Sequence, residues 1–496
     1  MGVMTFRLPA SVDPGLVPDL ERAYVIGGPD SMPWPTEARI EDGFLLVERR
    51  TDESGFLVLP WEIPGAGRLM GSSATLMERP APYDLLTEMA RGKVNQLRSQ
   101  TEDWRAGGLQ VSADLSRLIH EASLTFGRAV TQPPSDLAAQ QARSALVLAC
   151  ETAEQLVQTY VDQVFHLRHQ RQPRLDTGLG VRLGDVVPEG PAAAALRETF
   201  NTVSLNLSWH RVEAAEGQYL FDRHDAVLAW AQSVSLPVTA GPLVDFSSAC
   251  FPDWLWTHER NLTNLATFMC RFVERAVRRY RNRIRRWHVS SASNCATLLG
   301  LQEEELLWLT MRLAEAARQV DPGLELVIGI AQPWGEYMAV REHMHSPFIF
   351  ADTLIRNSIN LAALEVELIM GVTPRGSYVR DRLETSRLLD LYSLLGVPLR
   401  VALGYPSAEG PDAAADPELR VAAGRWRDGF GPERQAHWAE AFAGLTLAKP
   451  YMQAVQWAHF SDVHPHQVPH AGLVDAGGNL KPALERLRQL REAHLS

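Results

Sequence analysis

The 496-residue sequence holds only four cysteines, Cys150, Cys250, Cys270 and Cys295, and none is spaced as C-x-x-C. A disulfide framework is therefore not implied, and the spacing argues against a zinc ribbon. Positive charge is in deficit: 48 basic side chains against 59 acidic ones give a net charge of −11. That balance argues against a protein that holds nucleic acid by neutralising phosphates. No apolar run is long enough to span a bilayer, which needs about 18 residues or more, so no membrane partner is expected. The first twenty residues lack a basic stretch followed by an apolar one, so the expectation is a soluble, cytoplasmic protein. Neither G-x-G-x-x-G nor G-x-x-x-x-G-K-[ST] follows any strand candidate, and no nucleotide or other cofactor is expected.

What is present is ordinary globular composition, 46% hydrophobic and 22% charged, in a chain long enough for two or three domains. Residues 1–82 read as a β-rich, sandwich-like module. Its strand candidates AYVIGG, ARIEDGFLLVERR, GFLVLPWEI and RLMGSSATLME are broken by Gly, Pro and Asp. Such a module suits either a carbohydrate-binding part or a structural cap on the next domain. Residues 83–174 turn helical. The third helix opens at Ser135 as N-cap and places Leu146, Cys150, Ala153, Leu156, Tyr160, Val161 and Val164 at a helical period. Its basic tail, His166 to Arg174, suits a helix C-terminus. Core packing explains this segment, and self-association into a homo-oligomer is the other use.

From residue 175 to 496 eight strand candidates alternate with helices. They are 179–183, 201–209, 236–244, 284–290, 324–331, 363–370, 397–405 and 452–460. Eight strands with helical crossovers predict an α/β fold, a (β/α)8 TIM barrel with the β-rich module and helical segment before it.

Within this half, FNTVSLNLSWHRVEAAEGQYLFDRHD carries Trp209, Glu213, Gly217, Tyr219, Phe221 and Asp225. A proline-x-tryptophan turn comes next, at Pro252–Trp254. RRWHVSSASN occupies the fourth strand, VQWAHFSD the eighth, and GLVDAGGNLKPALERL the end. In this order the segments resemble glycoside hydrolase family 10, the retaining xylanases, over residues 175–496. The resemblance implies the barrel and a saccharide partner, an oligosaccharide or polysaccharide. It implies sugar contacts from Trp457, which would floor the innermost sugar site, and from Trp287, for which core packing is an equal reading. Trp254 and Tyr405, in or just after strand ends, and Asn206 are further candidate sugar contacts.

The family's chemistry does not carry over. A retaining glycosidase needs one carboxyl as acid/base and a second as nucleophile. The resemblance places Ala292 at the acid/base position on the fourth strand and Leu403 at the nucleophile position on the seventh. Neither ionises. The chain then reads as a pseudoenzyme that binds a saccharide or a partner at the barrel mouth.

Two further readings stay open. In the first, an active glycosidase or other carbohydrate enzyme has moved its acid and base to Asp245, His288 and Glu367. Asp245 ends the third strand. Glu365 and Glu367 share one face of the sixth. If that face is inward, Glu367 becomes a partly buried acid with a raised pKa. The competing role for such a carboxylate is an ion pair with Arg182 or Arg400. In the second reading, the barrel is the scaffold of an assembly protein. Histidines crowd the segment DVHPHQVPH, residues 462–470. His-x-His spacing can serve a metal, but a proline-broken loop with exposed histidines reads as solvated, and no metal is assigned. Ser290, Ser291 and Ser293 lack a G-x-S-x-G frame, which argues against a serine hydrolase.

Overall fold

The computed structural model describes residues 2–10, 12–28, 31–133, 135–357 and 359–496. Eight parallel strands close into a barrel. They are Gly178–Leu183, Thr202–Leu205, a split third strand (Val238–Ala240 and Val244–Asp245), Arg286–Ser291, Glu325–Ile330, Ala363–Ile369, Leu399–Gly404 and Met452–Trp457. Each pairs with its sequence neighbour, and the eighth pairs with the first. Helices cross over between them, the arrangement of a (β/α)8 TIM barrel. The strands form where β-branched and leucine-rich runs are bounded by turn residues, and their residues are buried almost without exception.

Side chains of successive strand residues face opposite sides. On the sixth strand Leu364, Val366 and Leu368 pack outward into the main hydrophobic core, while Glu365 and Glu367 face into the barrel. On the seventh strand Leu399, Val401 and Leu403 face outward, and Arg400 faces in. The barrel lumen is thus polar and the wall between strands and helices apolar.

The first 84 residues build two sheets, antiparallel except where Phe6 and Arg7 pair in parallel with Tyr83 and Asp84. In one, strands Thr36–Glu41 and Phe44–Arg49 form a hairpin around Asp42-Gly43. Both turn residues have positive φ, 48° and 81°, the conformation that Asp-Gly supplies at low cost. The other sheet gains an outer strand from the barrel half: Arg425 and Trp426 pair with Arg68 and Gly67. The strand Gly2–Arg7, absent from the sequence reading, pairs along Phe44–Arg49.

Three helices come next: Leu85–Ala106, Ala113–Val130 and Asp136–Arg171. The hydroxyl of Ser135 accepts from the Ala138 N–H, as an N-cap does. Of the apolar series read from the sequence, Leu146, Cys150, Ala153, Leu156 and Val161 are buried. Tyr160 stacks on Trp104 at 4.3 Å. Arg168, in the last turn, donates to the Leu447 and Ala448 carbonyls. It thereby satisfies the exposed carbonyl end of the barrel helix Pro432–Ala448. Among the described residues, no helix is long and apolar enough to cross a membrane.

Candidate active-site cleft

The C-terminal ends of the barrel strands open towards the N-terminal sheets, where active sites of such barrels form. Between the two lies a cleft of about 1130 Å³, the size of a ligand site. Tyr24, Thr36, Glu48 and Arg50 line it from the N-terminal sheets. Phe246, Ala292, Gln332, Tyr337 and Arg375 line it from the barrel loops.

Beneath the cleft, charges fill the lumen in two layers. In the lower layer, Glu365 accepts from Arg182 of the first strand and, at 3.3 Å, from Arg400 of the seventh. The Nδ1 of His288 lies 3.4 Å from the same carboxylate. Burial alone would raise the Glu365 pKa, but His288, Arg182 and Arg400 outweigh it and bring it down to about 2. Burial lowers the pKa of His288 against the opposing pull of Glu365. The Nε2 of the His288 ring has no hydrogen-bond partner among the described residues. Gly329 makes room for that ring: a Cβ there would lie 2.7 Å from His288 Nε2 and 2.7 Å from Ser291 Oγ.

In the upper layer, Arg375 holds two carboxylates at once. Its Nη2 lies 3.2 and 3.3 Å from the two Glu367 oxygens, and its Nη1 donates to Asp245 Oδ1. Ser291 Oγ donates to Glu367 as well. Asp245 and Glu367 are buried, and Arg375 is 11% exposed. Burial would raise the Glu367 pKa, but Arg375, Arg182 and the Ser291 hydroxyl outweigh it and hold it below the usual carboxylate range. This corrects the expectation of a raised pKa. The carboxylate faces inward as expected, but a guanidinium sits on it. The partners also differ from those expected: Arg182 and Arg400 serve Glu365, and Arg375 serves Glu367 and Asp245. Arg375 lines the cleft, whereas the two carboxylates it holds do not.

Strand alternation fixes where the missing family carboxylates would stand. Ala292 comes directly after the fourth strand, at φ +60°, and lines the cleft. Leu403 is fully buried in the outer core and faces away from the lumen. The inward residues beside it are Ala402 and Gly404. A Cβ on Gly404 would lie 2.8 Å from Ile369 Cδ1 and 3.1 Å from the Ala458 Cβ. None of these groups ionises.

The aromatic residues read as sugar contacts lie elsewhere. Trp287 and Trp457 alternate with the inward His288 and Gln456, so both face outward. Each is at most 2% exposed, and each donates its indole N–H to a backbone carbonyl, of Ile284 and Ala471 respectively. Tyr405 is fully buried, stacked between Phe430 and Trp438, and its hydroxyl accepts from Trp426 N–H. Trp254 is half-buried against Trp209 and Phe268 and donates to the Glu213 carbonyl. Asn206 is half-buried too, and its backbone N–H bonds to Leu183. None of the five lines the cleft. The motif residue Glu213 is structural as well, accepting from Trp209 Nε1 at 2.7 Å and Gly217 N–H at 2.8 Å.

Of the histidines in the segment 462–470, His464 is exposed as expected, but His466 is not. His466 is 3% exposed and His459 12%. They converge with Asp462, the three ligand atoms lying within 4.8 Å of one another.

These positions can be set beside known proteins. Residues 170–293 match the family model of glycosyl hydrolase family 10. The barrel resembles that family. The matched stretch runs from the end of the long helix through the fourth strand and includes Ala292. No curated protein matches the chain. Among solved structures, xylanase 10B from Thermotoga maritima aligns at 14% identity, over 64% of this chain and 95% of its own, with a TM-score of 0.48. A GH10 structure from Paenibacillus barcinonensis aligns at 17% identity, over 65% and 96%, with a TM-score of 0.48. The intracellular xylanase of Thermoanaerobacterium saccharolyticum aligns at 17%, over 66% and 97%, with a TM-score of 0.46.

Arg375, Gly329 and Ser291 as partner of Glu367 were not found by reading the sequence. Arg375 carried one signal: it is the only basic residue between Gly371 and Val379, a few residues after the strand that carries Glu365 and Glu367.

Proposed function

We propose that this chain binds a saccharide in the cleft at the barrel mouth and does not cleave it by the two-carboxylate route. One observation carries the reading: a single guanidinium, Arg375, ties up both Asp245 and Glu367. Glycoside hydrolysis needs one carboxyl that carries a proton and a second that is available as nucleophile or base. Glu367 is held ionised, which removes it as an acid. His288 lies buried beneath the cleft with its Nδ1 against Glu365, which takes the third member of a relocated set away from a ligand there. The remaining cleft is large, and it mixes hydroxyl, amide and charged groups with the rings of Tyr337 and Phe246. Such a lining suits polyols, whose hydroxyls need partners and whose C–H faces pack on aromatic carbon. The resemblance of the barrel to a glycosidase family supports the same ligand class.

Titration calorimetry with xylo-oligosaccharides and other oligosaccharides, paired with product detection, tests the proposal. The expected result is saturable heat with no product. Ala339→Trp places an indole in the cleft wall and is expected to lower affinity at least tenfold. Product release, or no heat with any sugar, refutes the reading.

A further inference from the structure

The segment after the eighth strand brings together a donor set that the saccharide reading does not use. His459 Nε2 lies 2.8 Å from Asp462 Oδ1, and His466 Nε2 lies 3.7 Å from the same oxygen. His466 Nε2 is also 3.0 Å from Oδ2 of Asp412, which comes from the loop after the seventh strand. In a tetrahedral site with metal–ligand bonds of about 2.0–2.1 Å, neighbouring donors are about 3.3 Å apart. The observed separations bracket that value.

The protons and charges point the same way. His466 Nδ1 lies 2.8 Å from the His464 carbonyl, which can only accept, so the proton of a neutral ring sits on Nδ1. Nε2 is then the ring nitrogen that faces the two carboxylates, an arrangement that a shared cation, a proton or a metal ion, would bridge. Asp412 and Asp462 carry two negative charges, and Lys481, at 2.6 Å from Asp462 Oδ2, supplies one positive charge. One negative charge is left over. The donors are also held from behind, as metal ligands usually are. Asp462 Oδ1 accepts from Gly472 N–H at 2.7 Å, and Asp412 Oδ2 accepts from His470 N–H at 2.8 Å.

We propose that His459, His466, Asp462 and Asp412 bind one divalent transition-metal ion of the zinc class. The mixed imidazole and carboxylate set suits such an ion better than calcium or magnesium, which take oxygen ligands. The ion clips the loop after the seventh strand to the loop after the eighth. The former also carries Asp416 and Leu419 to the cleft, so the clip fixes one cleft wall. The His459 and His466 rings stack with centroids 4.4 Å apart. Binding turns one ring so that both Nε2 atoms reach the ion.

The test uses the full chain without an affinity tag, stripped with a chelator and then loaded with Zn²⁺ or Co²⁺. After gel filtration, one equivalent of zinc per chain is expected, and the cobalt form should show the visible absorption of a tetrahedral site. His466→Gln and Asp412→Asn are each expected to weaken zinc binding by about a hundredfold or more, on the scale of lost metal-site partners. Zinc should raise the melting temperature of the wild type but of neither variant. Circular dichroism checks that the variants are folded, and the wild-type result stands alone if one is not. If the wild type retains no zinc, His466 carries the balancing proton itself and the proposal fails. It fails equally if both variants retain a full equivalent with unchanged affinity.

Discussion

Arg375→Met removes the guanidinium that bridges Asp245 and Glu367 while keeping most of the side-chain volume. Glu367 is 3% exposed and Asp245 7%, so two carboxylates are left buried without their partner. Removing one member of a buried ion pair costs about 3–5 kcal/mol. The pH dependence separates this cause from lost packing. In the wild type the Glu367 pKa lies below its ordinary value of 4.5. Its ionisation therefore stabilises the fold above about pH 4.5, and that stabilisation is lost as pH falls through the folded-state value. In the variant, Arg182 and the Ser291 hydroxyl remain to oppose burial, but without Arg375 the Glu367 pKa rises. The higher that pKa, the more stability the variant forgoes as pH rises. Each proton by which the folded and unfolded states differ changes stability by about 1.4 kcal/mol per pH unit. The gap between wild type and variant should thus narrow from pH 7.5 to pH 5. Adding Glu367→Gln to the variant should recover part of the loss at pH 7.5. Urea unfolding followed by tryptophan fluorescence at both pH values measures all of this. A loss below about 1 kcal/mol at pH 7.5, or a gap that widens towards pH 5, refutes the bridging role of Arg375.

Further consequences can be measured in the same way. Gly329→Ala drives a methyl against His288 and Ser291 at 2.7 Å and should cost about 1–3 kcal/mol as an overpacked site. Tyr405→Phe leaves the buried Trp426 N–H without an acceptor and should cost about 1–3 kcal/mol, with saccharide affinity unchanged. Trp457→Phe should lower the melting temperature and leave calorimetric affinity unchanged, because the indole faces the outer core. A loss of affinity without a loss of stability would return Trp457 to the ligand site. Wild-type stability should fall as pH drops from 4.5 towards 2, because Glu365 titrates at about 2 in the fold and near 4.5 when unfolded. A flat profile over that window would show that the Arg182–Glu365–Arg400 cluster is not formed.

The barrel was legible because its strands are apolar runs alternating with amphipathic helices, and that pattern depends only on local sequence. Ser135 was legible as an N-cap for the same reason: a cap acts on backbone three residues away. The site was less legible because its partners are far apart in sequence. Arg375 and Asp245 are 130 residues apart and Arg182 and Glu365 are 183, so no spacing reveals which guanidinium meets which acid. Facing was a second obstacle. The resemblance assigned Leu403 and Trp457 to site positions, but strand alternation turns both outward, and only the paired register shows this. The segments that carry the resemblance prove largely structural here. Glu213 closes a turn, and Lys481 of the Lys-Pro-Ala ending holds Asp462. The histidines misled for a third reason. Prolines suggested an open loop, whereas Asp412 from a neighbouring loop folds over His466 and buries it.

The central claim is that the cleft holds an intact saccharide. Native mass spectrometry after prolonged incubation with a xylo-oligosaccharide tests binding and cleavage in one sample. The expected result is the mass of the chain plus one uncut oligosaccharide, with no shortened sugar in solution. Shortened products, or a chain that carries no sugar at millimolar ligand, would contradict the claim.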